Sequence, residues 1–410
     1  MPDILRRLLR YADAVYHLSR WVQTVRDARV KPRIPTALVV KSDLLMLWAR
    51  LGSFHALEEE RPGGSWRKWL GGDLHSADNL GDVAAVIRLD DVREMLRQHY
   101  LLRRRKKSLK PIAPGLWPLI FDGHESNSSF LRSCPKCLQR TIHTKHGDRV
   151  QYYHRYVLAL LLHADGVLLL DIEPQEPGED EIAPAKRLLA RALDRYPRAF
   201  NLTVGDALYL NPDFCRLGLD HGKHFLAVLK NENRDLLVDA RSLFGEVQPT
   251  PYREGRTESL WWDIEGFTSW HQLGHPVRVA RSVETTTICR QATKKEQTQR
   301  IEWIWATSLP VERASTRSVV RIGHRRWSIE NEAFNELVNQ WHANHVYKHD
   351  LNAMVFLWLL LCLAYNLFHV FIARNLKPQL RDGHTQRRWA ELIKSEFFQC
   401  VLPHRYRHPP

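Results

Sequence analysis

Two short runs in this 410-residue chain end alike. LIFDG (119–123) sets Asp122 behind three apolar residues and before a glycine, and TVGDALY (203–209) sets Asp206 behind Val204-Gly205. An apolar run closed by Asp and Gly is ordinarily a strand ending in a turn. The pair becomes chemical only if the fold brings the two acids together. Two carboxylates at adjacent strand ends repel unless a cation lies between them, and their hard oxygens suit Mg²⁺ or Mn²⁺. A third acid comes from HRRWSIENEAFNELVNQW (324–341). Read as one helix, Glu330 shares a face with Phe334, Leu337 and Trp341, whereas Glu332 and Glu336 fall on the opposite, solvated side. Burying Glu330 on that apolar face is costly without a compensating charge, which a metal held by Asp122 and Asp206 would provide.

The elements that must position these acids can be read in order. Residues 1–110 read as helical: Ser42 is placed to cap SDLLMLWARLGSFHALEEE, Ser76 to cap a short helix, and Asp90 to start DDVREMLRQHYLL. Strands follow around Leu119–Phe121, then at 155–162 and 167–173, with Ala164-Asp165-Gly166 as a tight turn between the last two. An amphipathic helix follows, with Glu179, Asp180 and Glu181 in its first turn and Pro197 after its end, and a fourth strand carries Asp206. If that strand returns beside the first, Asp122 and Asp206 become neighbours although 84 residues separate them. Residues 216–309 read as mostly β, through HFLAVLK, RDLLVDA, LWWDIEGF, HPVRVARSVE and EWIWATSL.

With 60 Lys+Arg against 46 Asp+Glu, the chain carries a net charge of +14. That balance favours polyanionic partners. The run Arg103, Arg104, Arg105, Lys106, Lys107 fits a phosphate-contacting arm and a solvated linker equally well. Six scattered cysteines make no disulfide framework, which favours a reducing compartment. One pair, Cys134 and Cys137, is close enough to be half a zinc site, with His124 upstream and His143, His146 and His154 downstream; two buried thiols fit the motif as well. The stretch 351–376 has an uninterrupted apolar part, Ala353–Tyr365, that is short of the roughly 20 residues a bilayer needs. A buried core helix is favoured there, with a membrane segment left open.

The three acidic motifs in this order, with the β-rich stretch between the second and third, resemble the DDE transposases, and among them the bacterial insertion-sequence transposases of family four. The resemblance covers about residues 115–376. The family signature around its glutamate is matched by Arg326 and Glu330; its Tyr position is Gly323 and its Lys position is Leu337, both departures. The resemblance implies an α/β (mixed α+β) fold with a ribonuclease H-like core. It divides the chain into a helical DNA-binding region (1–110), a first core part (111–215), a β-rich insertion (216–309), a second core part carrying the glutamate (310–376) and a basic tail (377–410). It implies two Mg²⁺ or Mn²⁺ ions on Asp122, Asp206 and Glu330, and DNA strand cleavage followed by strand transfer. The partners are then double-stranded transposon ends and target DNA, with a homodimer in the active complex and a cytoplasmic, nucleoid-associated location.

Arg325 and Arg326 are placed to hold a phosphate, with a surface salt bridge as their bland role. Trp261, Trp262, Trp303 and Trp305 are explained by strand packing as well as by contact with a displaced base. Any zinc on Cys134, Cys137, His146 and His154 would be structural. The competing readings are a catalytically silent DNA-binding protein of the same fold, a plain ribonuclease H-like nuclease, and a membrane-associated basic protein built on 351–376.

Overall fold

The computed structural model describes residues 4–59, 69–230, 234–289, 296–329 and 333–401. Its central feature is one mixed sheet whose strand order is β2-β3-β1-β5-β6-β10-β9-β8-β7, with β4 on the free side of β3. The strands that matter for the acids are β1 (Pro118–Ser129), β2 (Leu138–Thr144), β3 (Gly147–His163), β4 (Gly166–Pro174), β5 (Leu202–Gly205) and β6 (His224–Val228). β1 runs antiparallel to β3 and parallel to β5, and β5 runs parallel to β6. The parallel pairs are bridged by helices, α7 (Ile182–Arg195) between β4 and β5 and α8 (Pro212–Leu219) between β5 and β6. β5 is buried at all four positions, as expected of a parallel strand covered on both faces. Strand order β4-β3-β1-β5-β6 is the ribonuclease H-like core.

Several expectations need correction. β2 is an additional strand: it pairs with the outer half of β3, and apart from Leu138 its residues are exposed or half-buried. Six of the seven residues of RDLLVDA lie in α9 (Asp235–Phe244), a helix and not a strand; its Leu236, Leu237, Ala240 and Phe244 form a helical stripe. HFLAVLK contains β6, which is core sheet. The β-rich stretch is not a separate layer either. β7 (Thr250–Glu254), β8 (Thr257–Phe267), β9 (Val277–Cys289) and β10 (Glu296–Thr307) extend the same sheet through the β6–β10 pairing.

Among the described residues, six helices precede the sheet: α1 (Ile4–Tyr16), α2 (Leu18–Gln23), α3 (Thr36–Trp48), α4 (Phe54–Glu59), α5 (Ala77–Ala84) and α6 (Leu89–Arg105). Ser76 caps α5 as expected, accepting from the Asn79 N–H. Ser42 does not cap. It lies inside α3, buried, with its hydroxyl donating to the Leu38 carbonyl one turn back.

After the sheet come α10 (Thr316–Ile329), α11 (Asn335–Trp341), α12 (Leu351–Asn375), α13 (Pro378–Arg381) and α14 (Gln386–Val401). The apolar stretch read at 351–376 is α12, and 94% of its most apolar window lies inside the fold. Asn366, which interrupts the run, hydrogen-bonds both the N–H and the carbonyl of Leu169 on β4. It thereby satisfies an edge strand that has no further strand beside it.

The N-terminal helices share this core. Trp48 donates its indole N–H to Ala364 of α12, Asn352 of α12 donates to Ala84 and Ile87, and one apolar cluster runs from Ile4 to Phe397. Glu396 of α14 accepts from the free N–H groups of Ile4 and Leu5 at the start of α1, where a carboxylate also suits the helix dipole.

Candidate active site and Cys/His cluster

The parallel register of β1 and β5 pairs Pro118 with Leu202, Leu119 with Thr203 and Ile120 with Val204. Carried two residues further, it sets Asp206 opposite Asp122. Ile120 and Val204 belong to the same apolar cluster as Val319 and Ile322 of α10, so by strand alternation Asp122 faces the α10 side of the sheet. Asp122 is nearly buried, with Arg326 Nη1 of α10 at 3.7 Å from its Oδ2. Asp206 is fixed just past the end of β5, where its Oδ1 accepts the Leu208 N–H at 2.8 Å. Tyr209 registers both acids. Burial first, then the charges of Glu181, Asp122 and Asp206, hold its hydroxyl well above the usual tyrosine range.

Glu181 was read as a helix-dipole residue and has a further place. On the opposite face from Asp122, its carboxylate fills the space a side chain at Gly123 would need, accepts from Tyr209 Oη at 2.8 Å and lies 3.3 Å from Arg155. A side chain at 123 would have to displace that carboxylate. Nothing in the sequence links these residues, because the contact joins the middle of β1 to a helix start 58 positions away.

The stretch expected to be one helix, 324–341, is described as α10 and α11, with residues 330–332 between them outside the described residues. α10 ends at Ile329 and α11 begins at Asn335; Glu330 and Glu332 lie outside the described residues. Phe334, Leu337 and Trp341 are buried as expected. Glu336, expected to be solvated, is not. It accepts from Trp341 Nε1 at 3.0 Å, pairs with His369 Nε2 at 3.1 Å and faces the buried Arg50. Those partners outweigh the burial that opposes ionisation and lower its carboxyl below the usual range. The π-helical geometry at Ala333 and Phe334 shifts the helical phase, which is why a single wheel misplaced this residue.

The departure at Gly323 has a structural reason. A Cβ there would collide with the indole ring of Trp305, which is fully buried, stacks with Trp303 and meets His324 edge-on. The tryptophan takes the room that a tyrosine would need. Trp261 is likewise committed to packing, stacked on Tyr252, and Trp262 donates to the Val247 carbonyl. The Lys position, Leu337, is fully buried.

The basic run divides. Arg103 is buried and bonded through Nε to Ser108 Oγ and through Nη2 to the Ser108 carbonyl, so it is structural and not part of a free arm. Arg104 donates to Tyr100 and to the Arg198 carbonyl, and Lys106 to the Val15 carbonyl. Arg105 and Lys107 are exposed. Arg326, expected to hold a phosphate, is 5% exposed and turned to Asp122.

A second set of groups converges above β3. Cys134 Sγ and Cys137 Sγ are 3.6 Å apart; His154 Nε2 lies 3.5 Å from the first and 3.3 Å from the second, and His349 Nε2 lies 3.5 Å from Cys137 Sγ. The four ligand atoms all fall within 4.8 Å of one another. His146 is not among them: it is exposed at the β2–β3 turn, and its place is taken by His349. His143 pairs with Asp148, and His124 with Asn344. Burial, with the thiol of Cys134 adding to it, pushes the Cys137 thiol up to about 11; burial and His349 bring His154 down to about 4. His349 was missed because it stands 195 positions after His154, beyond any local spacing rule.

Residues 128–367, more than half of the chain, match the family described as Transposase DDE domain. The match begins six residues after Asp122 and contains Asp206 and the 324–341 stretch. No curated protein matches the chain significantly. The strand order and the family match converge on one assignment: the chain belongs to the DDE transposase family.

Proposed function

We propose that this protein is an active transposase that cleaves double-stranded DNA at transposon ends and joins the freed 3′-hydroxyl to target DNA. Asp122, Asp206 and Glu330 would hold two Mg²⁺ or Mn²⁺ ions. What supports this reading is the register that sets Asp206 opposite Asp122, which faces α10. The donor set fits a hard divalent cation: two carboxylates about one strand spacing apart, Asp122 within β1 and Asp206 just past the end of β5. Bound there, such cations would activate an attacking oxygen and neutralise a leaving one in an in-line phosphoryl displacement. The chain's own contribution is position. The Leu208 N–H fixes the rotamer of Asp206, and Arg326 holds Asp122 from the α10 side. DNA is engaged through positive charge at the surface, including Arg105 and Lys107 at the end of α6 and the half-buried Arg325 on α10, in a homodimeric complex.

The test is nicking of a labelled transposon-end duplex in Mg²⁺, with binding measured in parallel. Asp122→Asn, Asp206→Asn and Glu330→Gln should bind normally and fail to nick, and Glu332→Gln should nick normally. Near-normal nicking by Asp122→Asn would overturn the site. Normal binding with no nicking by wild type in Mg²⁺ or Mn²⁺ would favour the silent DNA-binding reading instead.

A further inference from the structure

We propose that Cys134, Cys137, His154 and His349 form a structural Zn²⁺ site that clips the β2–β3 hairpin to the start of α12. The inference is independent of the catalytic reading, since none of the four residues touches Asp122 or Asp206.

The argument begins with distances. A tetrahedral zinc with Zn–S of about 2.3 Å and Zn–N of about 2.0–2.1 Å sets sulfur about 3.8 Å from sulfur and about 3.6 Å from nitrogen. The observed separations are 3.6 Å between the sulfurs and 3.5, 3.3 and 3.5 Å between sulfur and nitrogen. These are the edges of such a tetrahedron, slightly contracted. A disulfide is excluded, because its sulfurs would stand about 2.05 Å apart. Two thiols needing only burial would not gather two imidazoles, one of them from the far side of the chain.

The local backbone is also shaped for the task. The Cys137 N–H bonds back to the Cys134 carbonyl at 3.0 Å, and the Cys134 N–H points at Cys137 Sγ at 3.2 Å. Such a tight CPKC turn presents both sulfurs on one side, with a backbone donor to stabilise thiolate charge. Two thiolates and two imidazoles form a borderline-soft set that selects zinc over the hard cations suited to the aspartates.

Position gives the site its role. The cysteines lie in the β1–β2 connection, His154 on β3 where the strand leaves the core sheet, and His349 one residue before Asp350, the N-cap of the buried α12. Among the described residues the outer halves of β2 and β3 have no other strand beside them, and the hairpin carries Arg140, Lys145 and Arg149 at exposed positions. Without a tie at its base, a two-stranded ribbon of this kind is only marginally ordered. Zinc would hold that basic ribbon at a fixed angle to the helix under the core.

The experiment is metal analysis of full-length protein purified without chelator, with Co²⁺ substitution as a second readout. About one zinc per chain is expected in wild type and in His146→Ala, falling to about a tenth or less in Cys137→Ser and His349→Ala. Co²⁺-loaded wild type should show the intense visible bands of a tetrahedral ion and the near-ultraviolet charge transfer of thiolate ligands. If Cys137→Ser does not fold, the Co²⁺ spectrum of wild type and the zinc content of His349→Ala carry the test. Wild type without zinc, even after reconstitution, would overturn the site. So would zinc retained in His349→Ala and lost in His146→Ala.

Discussion

Replacing Asp206 with Asn separates charge from shape. The variant keeps a side-chain oxygen where Asp206 Oδ1 now accepts the Leu208 N–H at 2.8 Å, so the turn after β5 should survive. What is lost is one negative charge opposite Asp122. At a strand spacing of about 4.8 Å, two unit charges repel by about 0.8 kcal/mol in water and about 3 kcal/mol at an effective dielectric of about 20. Arg326, 3.7 Å from Asp122, already offsets part of this, so a relief of about 1 kcal/mol is the fair expectation. A cation bound at a hundred times its Kd stabilises wild type by about 2.7 kcal/mol. With an unfolding entropy of about 2.1 cal/mol/K per residue, the 410-residue chain gains roughly 1 °C in Tm per kcal/mol. Thermal unfolding should therefore show wild type rising about 3 °C on adding saturating Mg²⁺. Asp206→Asn should start about 1 °C higher without Mg²⁺ and gain almost nothing from it. Nicking should fall by about a thousandfold or more, the worth of several kcal/mol of metal-derived stabilisation. An Asn variant that keeps the Mg²⁺-dependent rise, or is clearly destabilised without metal, would refute the reasoning: the first removes Asp206 from the metal site, the second makes its charge structural.

Gly323→Ala should destabilise by about 1–3 kcal/mol, because its Cβ would press into the Trp305 indole, and denaturant unfolding would register it. Glu336→Gln should lower stability by about 2 kcal/mol through loss of the charge facing Arg50 and His369, with nicking per folded molecule unchanged; loss of nicking at normal stability would make Glu336 part of the chemistry. Arg105→Glu/Lys107→Glu should weaken DNA binding equally for all sequences and reduce its salt slope by about 1 for each phosphate no longer neutralised, whereas Arg103→Gln should chiefly destabilise the fold. His163 is buried and held down at about 4, first by burial and then by Arg103, with Asp165 opposing and Arg325 and Arg374 adding to the depression. Below about pH 6.5 the unfolded chain takes up a proton that the folded chain refuses until about pH 4, so stability falls across that window by up to ~3 kcal/mol and is complete above it. His163→Asn should flatten that part of the stability-versus-pH curve; an unchanged slope would show that His163 does not titrate as argued.

How much of this was legible in the sequence depends on the range of the signal. Asp122 and Asp206 could be found because each follows an apolar run, although β1 does not end there and continues as a polar strand to Ser129; the pairing of β1 with β5 then brings the two runs side by side. α12 was legible as a core helix from its length and from Asn366, whose two bonds to Leu169 need a strand edge and not lipid. β2 was not legible, since LQRTIHT buries almost nothing and so carries no apolar alternation. α9 misread as a strand because its apolar run is too short to tell the two periods apart.

The remaining misses share one cause, which is that burial is decided by partners far away in the chain. Residues 1–110 read as a separable helical region, yet α3 donates through Trp48 to Ala364 and Asn352 reaches back to Ala84 and Ile87. Deleting that region would strip α12 of its cover and unfold the protein, so loss of DNA binding in such a truncation would say nothing about recognition. Surface substitutions at Arg105 and Lys107 ask the question without touching the core. The same holds for the cysteines: CPKC announces half a site, and only the fold brings up His349 from just before α12. A local pattern names candidate donors, and long-range packing decides which of them meet.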